Sequence, residues 1–143
     1  MDHLAIMRKS WGLTEKILDG RKNIESRWYK SKYPPWDKIE PGDKVYFKDS
    51  GCPVSIVTEV KEVKQFPDLS KEKVMKILEE YGSDDGIEKE KIQEFYEMFK
   101  DKKYCILIFL KNARKIEPFK ISKKGFGMMA SWIVVYDINE LKL

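Results

Sequence analysis

The chain has 143 residues, 42% hydrophobic and 36% charged, which suits one globular domain with a real core and excludes a disordered segment. Its 28 basic residues against 24 acidic ones leave a net charge of +4, which permits a nucleic-acid partner without demanding one. No run of about 18 apolar residues is present to span a membrane. Residues 1–8 lack the basic-then-apolar order of a secretory signal, so a cytoplasmic protein is expected.

Arg8, Arg21, Arg27 and Arg114 are the arginines; the other cations are lysines, set among many glutamates and few Gln, Asn or Thr. That balance is thermophile-like, since surface ion-pair networks gain value at high temperature. His3, Cys52 and Cys105 are too few and too scattered for a zinc ligand set, and no metal or cofactor is expected. Cys105 sits in an apolar run and reads as a small buried hydrophobe. His3 reads as incidental.

In chain order, residues 3–8 suit a first strand. Ser10 is placed to cap a helix whose apolar side carries Trp11, Leu13, Ile17 and Leu18, with Gly20 as its left-handed stop. Residues 22–30 then alternate as a strand, with Ile24, Ser26 and Trp28 on one face and Asn23, Glu25, Arg27 and Tyr29 on the other. The segment Tyr33-Pro34-Pro35-Trp36 forces an extended connection. Pro41-Gly42-Asp43 is a turn into a strand over 44–48, and Ser50-Gly51 turns into a long strand over 54–64 whose imperfect alternation predicts a bulge.

The period then changes. Val74, Ile77, Leu78 and Tyr81 follow a Ser70 cap at helical spacing, and Ile92, Phe95, Tyr96 and Phe99 repeat it after the loop Gly82-Ser83-Asp84-Asp85-Gly86. A helical hairpin inserted at about 69–100 results, its aromatic stripe expected to pack on the sheet. Strands are expected again at 103–110, 114–119 and 131–136, with a basic, glycine-containing loop over 123–130 in which Met128 and Met129 pack against the barrel. The reading is one α+β domain over 1–143, a bent β-barrel of five to six strands with flanking helices.

The stretch Gly20-Arg21-Lys22-Asn23-Ile24-Glu25-Ser26-Arg27 carries the pattern Gly-x-Lys-x-x-Glu-x-Arg directly after a helix, and Gly42-Asp43 precedes an apolar strand. In both respects the chain resembles the ASCH-domain family, relatives of the PUA RNA-binding fold. The resemblance spans roughly the whole chain and implies a β-barrel with a cleft at its mouth near the motif. It also implies RNA or nucleotide binding. One branch of the family consists of amidohydrolases of N-acylated cytidine, in which the motif lysine works with a threonine three residues on and a later glutamate. Here Lys22 matches the lysine, Glu25 stands where the threonine would be, and Glu59 or Glu62 could supply the glutamate. Ser26 is adjacent, but strand alternation turns it to the opposite face.

The expected function is an RNA- or nucleotide-binding module with a charged cleft. Lys22 suits a phosphate or a polarised carbonyl, Arg27 can fork onto phosphate or a guanine edge, and Glu25 can accept from an amine or hydroxyl. Trp11, Trp28 and Trp132 are candidate stacking surfaces, and Lys124 marks a loop able to close on a backbone. Two alternatives stand beside it. One is a small hydrolase, an amidohydrolase or ribonuclease, using Lys22 with Glu25 and Glu59 or Glu62. The other is a protein-interaction domain that uses the helical hairpin.

Overall fold

A computed structural model describes all of residues 1–143. Six strands form one sheet: β1 (Asp2–Met7), β2 (Ile24–Tyr29), β3 (Lys44–Asp49), β4 (Val54–Phe66), β5 (Tyr104–Phe119) and β6 (Trp132–Val135). Their order across the sheet is β2-β5-β4-β3-β1-β6, with β1 and β3 parallel and every other pair antiparallel. Three helices accompany it: α1 (Leu13–Leu18), α2 (Lys71–Tyr81) and α3 (Ile92–Phe99). No helix is long and apolar enough to cross a membrane.

The long strands bend because they carry bulges. The β4–β5 register shifts between Val54 and Ile56, between Val57 and Glu59, and between Val60 and Glu62, as the broken alternation of 54–64 predicted. Residues Tyr104–Phe119 form one strand where the sequence suggested two. Asn112 takes φ 54°, a left-handed conformation that asparagine tolerates, so the chain kinks without leaving the ladder. The curled sheet brings its two outer strands, β2 and β6, toward each other. One core lies inside the curl, built on Phe47, Ile106, Ile108 and Trp132; a second lies outside, where Ile24, Trp28 and Leu107 meet Val74, Ile77 and Leu78 of α2.

Other local expectations change in detail. Ser10 caps nothing: residues Lys9–Trp11 make a 3-10 turn, and Gly12 at φ 63° redirects the chain into the short helix α1. Ser70 does cap α2, its hydroxyl accepting from Lys73 N at 3.2 Å. The hairpin's aromatic stripe packs inward, Phe95 against Trp11 and Phe99 stacked on Trp28 at 4.7 Å. Met128 and Met129 do not pack against the barrel. They stand 85% and 95% exposed, because the glycine turns at 125 and 127 hold their loop off the sheet.

His3 is not incidental. It is fully buried, accepts at Nδ1 from Trp132 Nε1 (3.0 Å) and meets Asp43 Oδ2 through Nε2 (2.9 Å). The Trp132 donor fixes the tautomer, so neutral His3 donates to Asp43 through Nε2. Asp43 of the Gly-Asp turn also accepts from Glu40 N. The turn is thus tied by its own carboxylate to the first strand.

Candidate functional site

The stretch from Gly20 to β2 places a buried charge cluster at the sheet's edge. Lys22 lies just before β2, and its Nζ is 2.7 Å from Ile24 O, 2.6 Å from Asp85 O, 2.5 Å from Asp85 Oδ1 and 3.1 Å from Glu25 Oε1. An ammonium has three protons, so this group is fully engaged by the protein. Glu25 is buried as well and holds a second cation on its other oxygen. Arg27 Nε and Nη2 reach Glu25 Oε2 at 3.0 and 2.8 Å.

Asp85 comes from the loop between α2 and α3. That loop is clamped onto the start of β2: Asp84 O accepts from both Asn23 N and Ile24 N, and Lys16 Nζ donates to Gly86 O at 2.8 Å. Gly86, at φ 82°, lies against the stem of Lys22 so closely that an added Cβ would stand 3.2 Å from its Cβ and Cδ. Asp85 Oδ2 accepts from Ser26 Oγ at 2.5 Å, and Ser26 Oγ accepts from Trp28 Nε1 at 3.0 Å. Lys22, Glu25, Arg27, Asp85, Ser26 and Trp28 therefore form one continuous network.

The protonation preferences differ along it. Burial presses Lys22 toward the neutral amine, but Asp85 and Glu25 outweigh burial and hold it above the ordinary lysine range. Glu25 is pushed up by burial yet held below the ordinary carboxylate range by Lys22 and Arg27. Asp85 is pushed up by burial and again by Glu25, and Lys22 alone does not bring it back. Two cations serve Glu25 and one serves Asp85, which is the physical source of the split.

Above this network lies a cleft of about 300 Å³. Its walls include Trp11, Phe95 and Phe99, its base Ser26, Glu25 and Asp85, and its rim Arg8 and Arg27. Arg8 lies over the Trp11 ring at 4.7 Å. Arg27 lies over Trp132 at 5.0 Å and reaches Ser131 O at 3.3 Å, bridging the gap between β2 and the segment entering β6. Beyond that bridge is a second hollow of about 680 Å³ formed by Tyr29, Tyr33, Trp132 and the 125–130 loop.

Of the residues singled out in the sequence, Lys22, Glu25, Arg27, Trp11 and Trp28 all line the cleft. Trp28 is buried and occupied by its stack on Phe99, so it is wall and not platform; Trp11 is the half-exposed indole. Trp132 is buried beneath Arg27 and faces the second hollow. Lys124 is exposed and lines neither space. Glu59 and Glu62 lie on β4, with β5 between them and β2, and neither reaches the cleft; Glu59 instead accepts from Asn112 at 3.2 Å. The later carboxylate that does reach it, beside Glu25, is Asp85. Ser26 also lines the cleft although β2 is not bulged, because the cleft faces the strand's open edge and is reached from both of its faces.

No family model and no curated protein matches the sequence. Among solved structures, the chain is similar to the ASCH protein of Zymomonas mobilis, with a TM-score of 0.68 at 12% identity over 97% of this chain and 90% of that one. The Y47F mutant of the same protein superposes with a TM-score of 0.66 at 13% identity, over 94% and 89%. Hypothetical protein PH0355 is similar with a TM-score of 0.52 at 21% identity, over 81% of this chain and all of that one. The chain has the fold of an ASCH domain.

Proposed function

We propose that the cleft binds a nucleotide, either free or as an unpaired residue of an RNA strand. The observation that carries this reading is the pairing of an aromatic wall with a cationic rim over a charge-satisfied base. Trp11 offers a half-buried ring with Phe95 edge-on to it and the Arg8 guanidinium over it at 4.7 Å, and Arg27 stands at the opening. Aromatic faces take bases and guanidinium groups take phosphates. A volume of about 300 Å³ is at the small end for ligand pockets, which suits one nucleotide and not a duplex. Because Lys22 is saturated, it serves to fix Glu25 and Asp85 and contributes field, while Arg8, and Arg27 through the Nη1 proton its protein partners leave over, supply direct contacts.

Titration with nucleoside monophosphates and short single-stranded RNA, at several salt concentrations, tests the reading. Binding that weakens with salt and is lost in Arg27→Ala supports it; absence of binding at low salt rejects it.

One contact favours a second reading, a hydrolase of an acylated nucleoside such as N-acylated cytidine. Ser26 Oγ is hydrogen-bonded to Asp85, whose raised proton affinity suits a general base. In that reaction Oγ bonds to the acyl carbon as its proton passes to Asp85. The C–N bond then breaks and the amine leaves with that proton. Water next bonds to the acyl carbon as Asp85 takes its proton. The acyl C–Oγ bond breaks, and Asp85 returns the proton to Ser26 Oγ as the free acid departs. Release of cytidine by the wild type and its loss in Ser26→Ala and Asp85→Asn would support this reading; no turnover by the wild type would remove it.

A further inference from the structure

β2 is the outermost strand on its side of the sheet and pairs with β5 alone. In an antiparallel ladder, alternate residues turn both backbone groups to the same neighbour. Asn23 O accepts from Leu110 N at 2.8 Å and Tyr29 O from Lys103 N at 2.9 Å, so the odd-numbered residues face β5. The even-numbered ones face away: Ile24 N donates to Asp84 O at 2.9 Å, and Ile24 O accepts from Lys22 Nζ at 2.7 Å.

Ser26 and Trp28 follow in the same phase. Their backbone N–H and C=O groups point out of the sheet toward the cleft that both residues line, and no loop, cap or turn engages them. The 82–87 loop covers the edge at Ile24, and beyond Trp28 the strand ends at Tyr29. A two-residue window of open edge is left, walled by Trp11, Phe95 and Phe99.

We propose that this window reads the Watson–Crick edge of a single unpaired base, an inference that rests on the nucleotide reading above. An N–H and a C=O of one extended residue lie side by side, a donor next to an acceptor. The Watson–Crick edge of each base offers the reverse pair, such as N1 and the N6 amine of adenine or O4 and N3–H of uracil. Hydrogen bonding to that edge of an unstacked base, with aromatic contact to its face, is the usual way single-stranded RNA is recognised. An added peptide strand would need a longer run of open edge than Ser26 to Trp28 provides. Backbone groups that the protein itself leaves free also make a planar polar ligand favourable there. Arg8 and Arg27, at the opening, lie where the phosphate of such a nucleotide would emerge.

The test compares AMP and UMP with 1-methyl-AMP and 3-methyl-UMP, whose Watson–Crick edges are blocked, on the full chain by calorimetry. Each methylated nucleotide is expected to bind about tenfold or more weakly than its parent, the loss of one hydrogen bond to an otherwise buried group. A second arm compares Ser26→Pro with Ser26→Ala. Both remove the hydroxyl, but only proline removes the edge N–H. Proline is tolerated where an edge strand's N–H points away from its partner. Ser26→Pro is expected to bind about tenfold more weakly than Ser26→Ala. If Ser26→Pro fails to fold, the methylated nucleotides decide alone. Parent and methylated nucleotides binding alike would overturn the edge assignment and leave the nucleotide reading standing. No binding of any parent nucleotide would overturn both. An extended peptide that displaces AMP and binds more tightly would overturn the choice of a base.

Discussion

Ser26 Oγ donates to Asp85 Oδ2 at 2.5 Å, joining the outermost strand of the sheet to a loop 59 residues further along the chain. Through Asp85 the same loop closes over Lys22, and through Lys22 the network reaches Glu25 and Arg27. The inserted hairpin is therefore part of the cleft and not an ornament on the barrel.

Lys22 is expected to matter first for folding. Lys22→Met would strand the buried Glu25 and Asp85 without their shared cation, and loss of one partner from such a cluster costs about 3–5 kcal/mol. Urea unfolding measures this; a change within about 1 kcal/mol would show that the cluster contributes little, as an exposed ion pair would.

Gly86→Ala should destabilise the same loop. Its φ of 82° penalises any side chain by about 1–2 kcal/mol, and the new methyl would press on the Lys22 stem. Thermal unfolding would register the loss. A neutral result would mean that the loop can move off Lys22 without cost.

Acid should weaken the fold in a window set by His3. Burial lowers its pKa below the ordinary 6.5, with Asp43 opposing but not reversing the shift. The unfolded chain then binds more protons than the folded one in that range. Stability from the neutral His3 is present above about pH 6.5 and is lost as pH falls from there through the lowered folded value. Denaturant midpoints between pH 8 and pH 5 should fall for the wild type and fall less for His3→Gln. Equal slopes would remove His3 as the cause. Glu25, also held low, adds a second loss beginning below its ordinary 4.5.

Trp11→Ala should weaken nucleotide binding by about 1–3 kcal/mol, the range for a base–aromatic contact, with a smaller effect on stability because the ring is only half buried. Affinity and melting temperature measured on one preparation separate the two. Loss of stability with unchanged affinity would make Trp11 a packing residue for Phe95.

Much of this was legible in the sequence, for identifiable reasons. Alternation in 24–29 and helical spacing in 71–81 and 92–99 carry strong periodic signals, and those elements appear where expected. Lys22, Glu25 and Arg27 are close in sequence, so a helix-to-strand bend sufficed to gather them. Asp85 was not legible as a partner. It stood only as one letter of a glycine-flanked turn, and its pairing with Lys22 depends on how the hairpin folds back. The acidic pair Asp84-Asp85 between two glycines was the available signal. Glu59 and Glu62 were misleading because the bulges of β4 break the alternation that would have assigned their faces. Arg8, at a strand's end, carried no pattern at all.

The most direct test of the central claim is calorimetric titration of the wild type and Arg27→Ala with AMP and UMP at low and moderate salt. Salt-sensitive binding by the wild type, one nucleotide per chain, weakened at least about tenfold in Arg27→Ala while the variant remains folded, is the expected result. No heat and no binding at low salt, or identical affinities for wild type and variant, would contradict a nucleotide site in this cleft.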